Sequence, residues 1–224
     1  MGRILFSCAG GHLALPDQGA ALVSREDGGN LLVNPPREVW ERSELTPTEL
    51  TNWSFLVAAA GQAMLRTLPQ LDLGCINYWE AGNWGLNFAA EPHGTGSAGI
   101  GSGETGSGGL KSAPEHRRVH LHLLGRSRNS TDPSWRWGEA PKFPDYADRK
   151  AWALNHKLLS AEECIRIVAE TERVLRQRYG FTAQQISPWE TCTACEYPMV
   201  ITPEQSAGRC AACGDQSFGV CYLE

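Results

Sequence analysis

Residues 117–126, Arg117-Arg118-Val119-His120-Leu121-His122-Leu123-Leu124-Gly125-Arg126, are the stretch on which the fold turns. A strand repeats its side-chain direction every two residues, so His120 and His122 share one face and Leu121 and Leu123 the other. The apolar residues around them favour a buried strand, where imidazoles serve hydrogen bonding, ligation or catalysis rather than solubility. Arg118 has the same parity as the two histidines. Arg126 lies two pleats beyond His122.

The segments leading to this strand read as the rest of a sheet and its helices. Gly19–Asp27 and Asn30–Asn34 are two β-rich runs joined by Gly28-Gly29, a pattern that predicts a hairpin, and Pro35-Pro36 ends the second run. A helix follows. Thr46 can cap it, Pro47 takes the first helical position, Glu49 completes a capping box, and Leu50, Trp53, Val57, Ala60 and Met64 form one apolar face. Leu73–Trp79 reads as the next strand. A second helix starts at Ser160, whose box partner is Glu163. It carries Cys164, Ile167, Val168, Thr171, Val174 and Leu175 on its buried stripe and ends at Gly180, with Glu170, Glu172, Arg173, Arg176 and Arg178 on the solvated face. Strands and helices in this order predict an α+β fold, an antiparallel sheet with helices packed on it.

The 224 residues, 42% of them apolar, suffice for a substantial core and an appendage. A net charge of -5 argues against a surface built wholly for nucleic acid, though a local basic patch would still allow such a partner. The run Ile4–Ala9 is too short for a secretory signal and no apolar run reaches membrane-spanning length, so the expected location is cytoplasmic, with no membrane partner. The glycine- and serine-rich segment 93–112 precedes the histidine strand as an inserted loop. Its matches to G-x-G-x-x-G, such as Gly94–Gly99, have no strand before them and no helix after them, and Lys111-Ser112 lacks the glycine of a phosphate loop. The loop ends close to His116, placing it to close over the imidazole pair. The aromatic segment 134–146 is expected to cover the sheet rather than to stack on bases.

Four of the eight cysteines, Cys192, Cys195, Cys210 and Cys213, form a C-x2-C…C-x2-C array. Paired thiolates at this spacing wrap one tetrahedral Zn2+, so residues 184–224 are expected to be a zinc ribbon with a structural ion, appended to a domain spanning 1–183. Gly214 after Cys213 suits the turn that directs backbone N–H groups at the sulfurs. Cys8, Cys75, Cys164 and Cys221 have no partner at ligand spacing and read mostly as small buried residues.

With these elements in order, the chain resembles the histidine triad (HIT) superfamily of nucleotidyl hydrolases and transferases. The resemblance covers about residues 19–128 and is carried by His120-Leu121-His122-Leu123-Leu124 followed by Gly125-Arg126. The family alternates three histidines with apolar residues; here Arg118 stands in the first position. The resemblance implies that His120 is the nucleophile and His122 the phosphate contact, with Leu22–Arg25 and Leu32–Pro35 as a nucleotide-cradling hairpin. Ser24 occupies a position where many members carry an asparagine or aspartate for the ribose. Arg118, Arg126, Asn77, Asn83 and Asn87 are candidate phosphate or ribose partners, and a homodimer is the assembly implied. Two readings follow. One is an enzyme acting on the α-phosphate of a dinucleoside polyphosphate or nucleoside phosphoramidate through a nucleotidyl-histidine. The other is a nucleotide- or nucleic-acid-binding module with impaired turnover, whose ribbon contacts RNA, DNA or a protein. Whether Arg118 helps or hinders catalysis separates them.

Overall fold

The computed structural model describes residues 2–81, 119–144, 148–186, 189–191 and 198–200. Five strands, β1 (Arg3–Cys8), β2 (Gly11–Leu15), β3 (Asn30–Asn34), β4 (Leu73–Ala81) and β5 (His120–Ser127), form one sheet in the order β1-β2-β3-β5-β4, with every neighbouring pair antiparallel. Among the described residues three helices accompany it: α1 (Pro47–Thr67), the short α2 (Arg149–Leu154) and α3 (Ala161–Tyr179). The α+β architecture is thus as expected, and β5 is the histidine strand.

Both long helices begin with the anticipated capping boxes. Glu49 N–H donates to Thr46 Oγ1 at 3.3 Å while Thr46 N–H donates to Glu49 Oε2 at 2.7 Å. Glu163 N–H donates to Ser160 Oγ at 3.2 Å, and Ser160 N–H to Glu163 Oε2 at 2.8 Å. Each box satisfies donors that the first turn leaves open. Gly180 closes α3 with a left-handed φ of 71°, a conformation that a side chain would disfavour. Trp53, Leu56, Ala60 and Met64 of α1 and Ile167, Val174 and Leu175 of α3 pack on Leu13, Leu31, Val33, Leu121 and Leu123, and this core continues to Phe181 and Ile186. The helices therefore cover the face of β5 that carries Leu121 and Leu123, and the histidines are left on the other. Among the described cysteines, Cys8 and Cys164 are buried and Cys75 is exposed, and burial pushes their thiols up to about 12 for Cys8 and about 11 for Cys164.

The predicted hairpin of 19–27 with 30–34 does not form. β3 pairs instead with β2 and β5, and the segment before it contains two 3-10 turns, Gln18–Ala20 and Arg25–Asp27. The first hairpin is β1 with β2, closed at Cys8 and Gly11. The chain from Pro16 to Gly29 crosses the sheet, and Leu22 and Val23 are buried with Leu124 and Trp135 in a second apolar cluster. Long-range polar bonds hold this crossing down. Asp27 Oδ1 accepts from Ser130 Oγ at 2.7 Å and Thr131 N–H at 3.0 Å, and Asn30 Oδ1 accepts from Leu22 N–H at 3.0 Å. Arg25 Nε and Nη2 fork onto the buried Glu163 carboxylate at 2.8–3.0 Å, and Gln70 Nε2 donates to the same group at 2.8 Å. Glu163 thus joins its own helix cap to the crossing.

A second acidic side chain links the helices. Glu170 of α3 receives Arg173 at 2.6 Å and Arg66 of α1 at 3.0 Å, and bonds from Arg173 first, then Arg66, hold its carboxyl at about 2 against an ordinary 4.5. A folded-state value below the unfolded one means stability present above pH 4.5 and lost as pH falls toward 2. Acid titration of unfolding free energy is expected to show this loss in the wild type and a shallower slope over the same window in Glu170→Gln.

Candidate active site

β5 sits between β3 and β4, which gives each of its outward residues two flanking neighbours. Leu32 and Trp79 lie opposite His122, Ala81 lies opposite His120, and Leu124 has Asn30 and Asn77 beside it. Directly opposed residues of antiparallel strands share a face. His120, His122, Asn77 and Trp79 are therefore on one surface, away from the helices. The crossing with Leu22, Val23 and Trp135 covers the Leu124 end of that surface.

The Nε2 atoms of His120 and His122 are 3.2 Å apart, with ring centroids separated by 5.0 Å. Two imidazole nitrogens at that distance require one N–H and one lone pair between them. The pair thus holds a donor and an acceptor at one point on the sheet. His122 is 3% exposed and His120 is half-buried, so the outer ring is the one open to an incoming group. The Trp79 ring lies 5.6 Å from that of His122 and stacks on Phe143 at 4.9 Å. Trp135 is buried and donates Nε1–H to Gly125 O at 2.8 Å, as a residue covering the sheet should.

The other expected site residues fall in different surroundings. Asn77 shares the histidine face, and the Cys75 thiol points to its Oδ1 at 3.9 Å. Arg126 shares it by parity too, but it is 4% exposed and engaged with the loop after β5: Nη2 donates to Arg136 O and, at 2.8 Å, to Glu139 O, and its guanidinium lies 4.5 Å from the Trp135 ring centroid. It fastens this loop to the sheet. Ser24 is at the start of a 3-10 turn, its Oγ donating to Glu26 Oε2 at 2.8 Å and accepting from Lys157 N–H at 3.1 Å. Arg118, Asn83, Asn87, segment 93–112 and Cys192, Cys195, Cys210 and Cys213 lie outside the described residues. Among the described residues no group of three or more metal-ligating side chains gathers, and no helix is long and apolar enough to cross a membrane.

Sequence reading missed Asp27 and Asn30, whose side chains pin the crossing, and His12 on β2. The only local signal for His12 was its place at the head of the apolar run Leu13-Ala14-Leu15.

No protein-family model and no curated protein matches this chain. Among solved structures it is similar to the crystal structure of a histidine triad (HIT) protein from Sinorhizobium meliloti 1021, with 16% sequence identity over 75% of this chain and 89% of that chain and a TM-score of 0.39.

Proposed function

We propose that the protein is a nucleotidyl hydrolase or transferase that acts on the α-phosphate of a nucleotide conjugate, a dinucleoside polyphosphate or a nucleoside phosphoramidate, with His120 as nucleophile. The observation that carries this reading is the pair of Nε2 atoms 3.2 Å apart, the outer half-buried and the inner buried. Phosphoryl transfer needs a neutral lone pair to attack phosphorus and a donor to meet the charge that develops on a non-bridging oxygen. In this reading His120 Nε2 forms the P–N bond as the bond to the leaving group breaks, and the leaving group departs with the electron pair and takes up a proton from solvent. His122 donates to a non-bridging oxygen. Water or another hydroxyl acceptor then forms a P–O bond and gives up its proton to solvent as the P–N bond breaks, and His120 is restored with its lone pair.

Asn77, on the same face, is the described one of the three asparagines that the resemblance offers as phosphate or ribose partners. Arg118, Asn83 and Asn87 are retained as partners on the strength of the family resemblance. So is a homodimer: β4 is the last strand in the order of the described sheet, where a second copy would find an edge. Incubation with labelled dinucleoside polyphosphate and with adenosine phosphoramidate, followed by a search for an acid-labile nucleotidyl-protein adduct, tests the enzyme reading. Tight nucleotide binding with neither adduct nor turnover would favour the binding module.

The cysteine array is proposed to hold one structural Zn2+. In support, β6 (Trp189–Thr191) pairs antiparallel with β7 (Pro198–Val200), so Cys192 and Cys195 fall in the segment that joins two paired strands, where a zinc knuckle is built. Cys210→Ser is expected to lose the metal in elemental analysis while the main thermal transition stays within a few degrees, because the ion would supply the folding energy of the small module alone. Full zinc retention in this variant would remove the ribbon assignment.

A further inference from the structure

The row of side chains to which His120 belongs continues across the sheet. Ser7 lies opposite His12, and His12 opposite Asn34. Extending the β3–β5 register by one residue sets Asn34 opposite His120. Ser7, His12, Asn34 and His120 thus stand in line on the histidine face, with strands about 4.8 Å apart.

This row has the properties of a binding surface. Ser7 is buried, and its Oγ is hydrogen bonded to Nδ1 of His12. That bond orients the imidazole and leaves Nε2 as the atom it presents. Among the described residues, neither Nε2 of His12 nor the side-chain amide of Asn34 has a hydrogen-bonding partner, although both residues are half-buried. The three residues carry no formal charge, since burial pulls the His12 imidazole below its ordinary range and keeps it neutral at neutral pH. A neutral set of donors and acceptors recognises an uncharged polar group. The phosphate is already assigned to the histidine pair beside it, which leaves this row for the part of the ligand beyond the phosphate.

We propose that Ser7, His12 and Asn34 form a second subsite, next to the nucleophile, that hydrogen-bonds an uncharged polar part of the substrate, a nucleobase edge or sugar hydroxyls. His12 and Asn34 touch the ligand and Ser7 positions His12. The proposal rests on the nucleotide reading above and adds to it the part of the substrate that lies beyond the phosphate.

Calorimetric titration of the full chain with AMP, GMP, CMP, UMP, ribose 5-phosphate and methyl phosphate tests it. Asn34→Ala and His12→Phe are each expected to weaken the preferred mononucleotide about three- to tenfold, the worth of one or two neutral hydrogen bonds, with methyl phosphate unaffected. A parallel loss for ribose 5-phosphate assigns the subsite to sugar hydroxyls, and a loss confined to the mononucleotide assigns it to the base. Asn34→Ala, at a half-buried strand position, carries the test if His12→Phe does not fold, and thermal melting of each variant reports that. Unchanged nucleotide affinity in Asn34→Ala, or an equal loss for methyl phosphate, overturns the subsite and leaves the nucleotide reading standing. Failure of the wild type to bind any of the four nucleotides overturns both.

Discussion

His120→Ala is expected to abolish turnover of a dinucleoside polyphosphate, with kcat falling by about 10^4-fold or more and no nucleotidyl adduct, while the fold persists. The size follows from the role. Removing a covalent nucleophile leaves only the rate supplied by binding and charge stabilisation. The persistence of the fold follows from position: His120 is half-buried on the face opposite the helical core, and the core residues of β5 are Leu121 and Leu123. His122→Ala separates the two imidazoles. It should reduce kcat by a smaller factor, about 10^2 to 10^3, because one donor to the developing charge is lost and the nucleophile remains. Rapid-quench measurement of adduct formation would read both steps. Equal, modest effects of the two substitutions would overturn the division of roles.

The second large effect is structural. Gly125→Ala is expected to cost about 3 kcal/mol or more in urea unfolding, because the added methyl has nowhere to go. A Cβ at Gly125 would sit 2.1 Å from the carbonyl oxygen of Gly28 and 2.7 Å from its carbonyl carbon, and a Cβ at Gly28 would meet the backbone of Gly125 at 2.2 Å. The obstacle is main chain, which cannot rotate aside as a side chain can. Nor is Gly28 loose: it has a φ of 137°, and Asp27 before it is bonded to Ser130 and Thr131. Gly125 N–H also donates to Gly29 O at 3.0 Å, and Gly125 O accepts from Trp135. The glycine after the histidines is therefore the point where the crossing is seated on β5. A loss below 1 kcal/mol would mean that the two backbones do not meet this way.

The contrast between these residues shows how much of the molecule was legible in the sequence. The shared face of His120 and His122 follows from a period of two and needs no other part of the chain. The two capping boxes are similarly local, since Thr46 with Glu49 and Ser160 with Glu163 bond within three residues. Gly28-Gly29 between two apolar runs carries the local signal of a hairpin, yet here it forms the sharp end of a crossing. What decides between the two lies far along the chain: the close approach to Gly125, the bonds from Asp27 to the loop after β5, and the fork of Arg25 onto Glu163. The surroundings of Arg126 depend on distant residues in the same way. Its parity places it on the histidine face, but the loop carbonyls that engage it come from ten and thirteen residues further on. His12 joins the site row through two successive strand registers, which no short window of sequence discloses.

The pairing of β4 with β5 runs to its very end, at Ala81 opposite His120. The ladder itself therefore positions the nucleophile, and the chain that connects the two strands need only span a gap whose ends are already side by side. Closing such a gap depends weakly on length, with each doubling adding about 0.6 kcal/mol. A change in the length of this connection is therefore expected to leave the histidine pair in register.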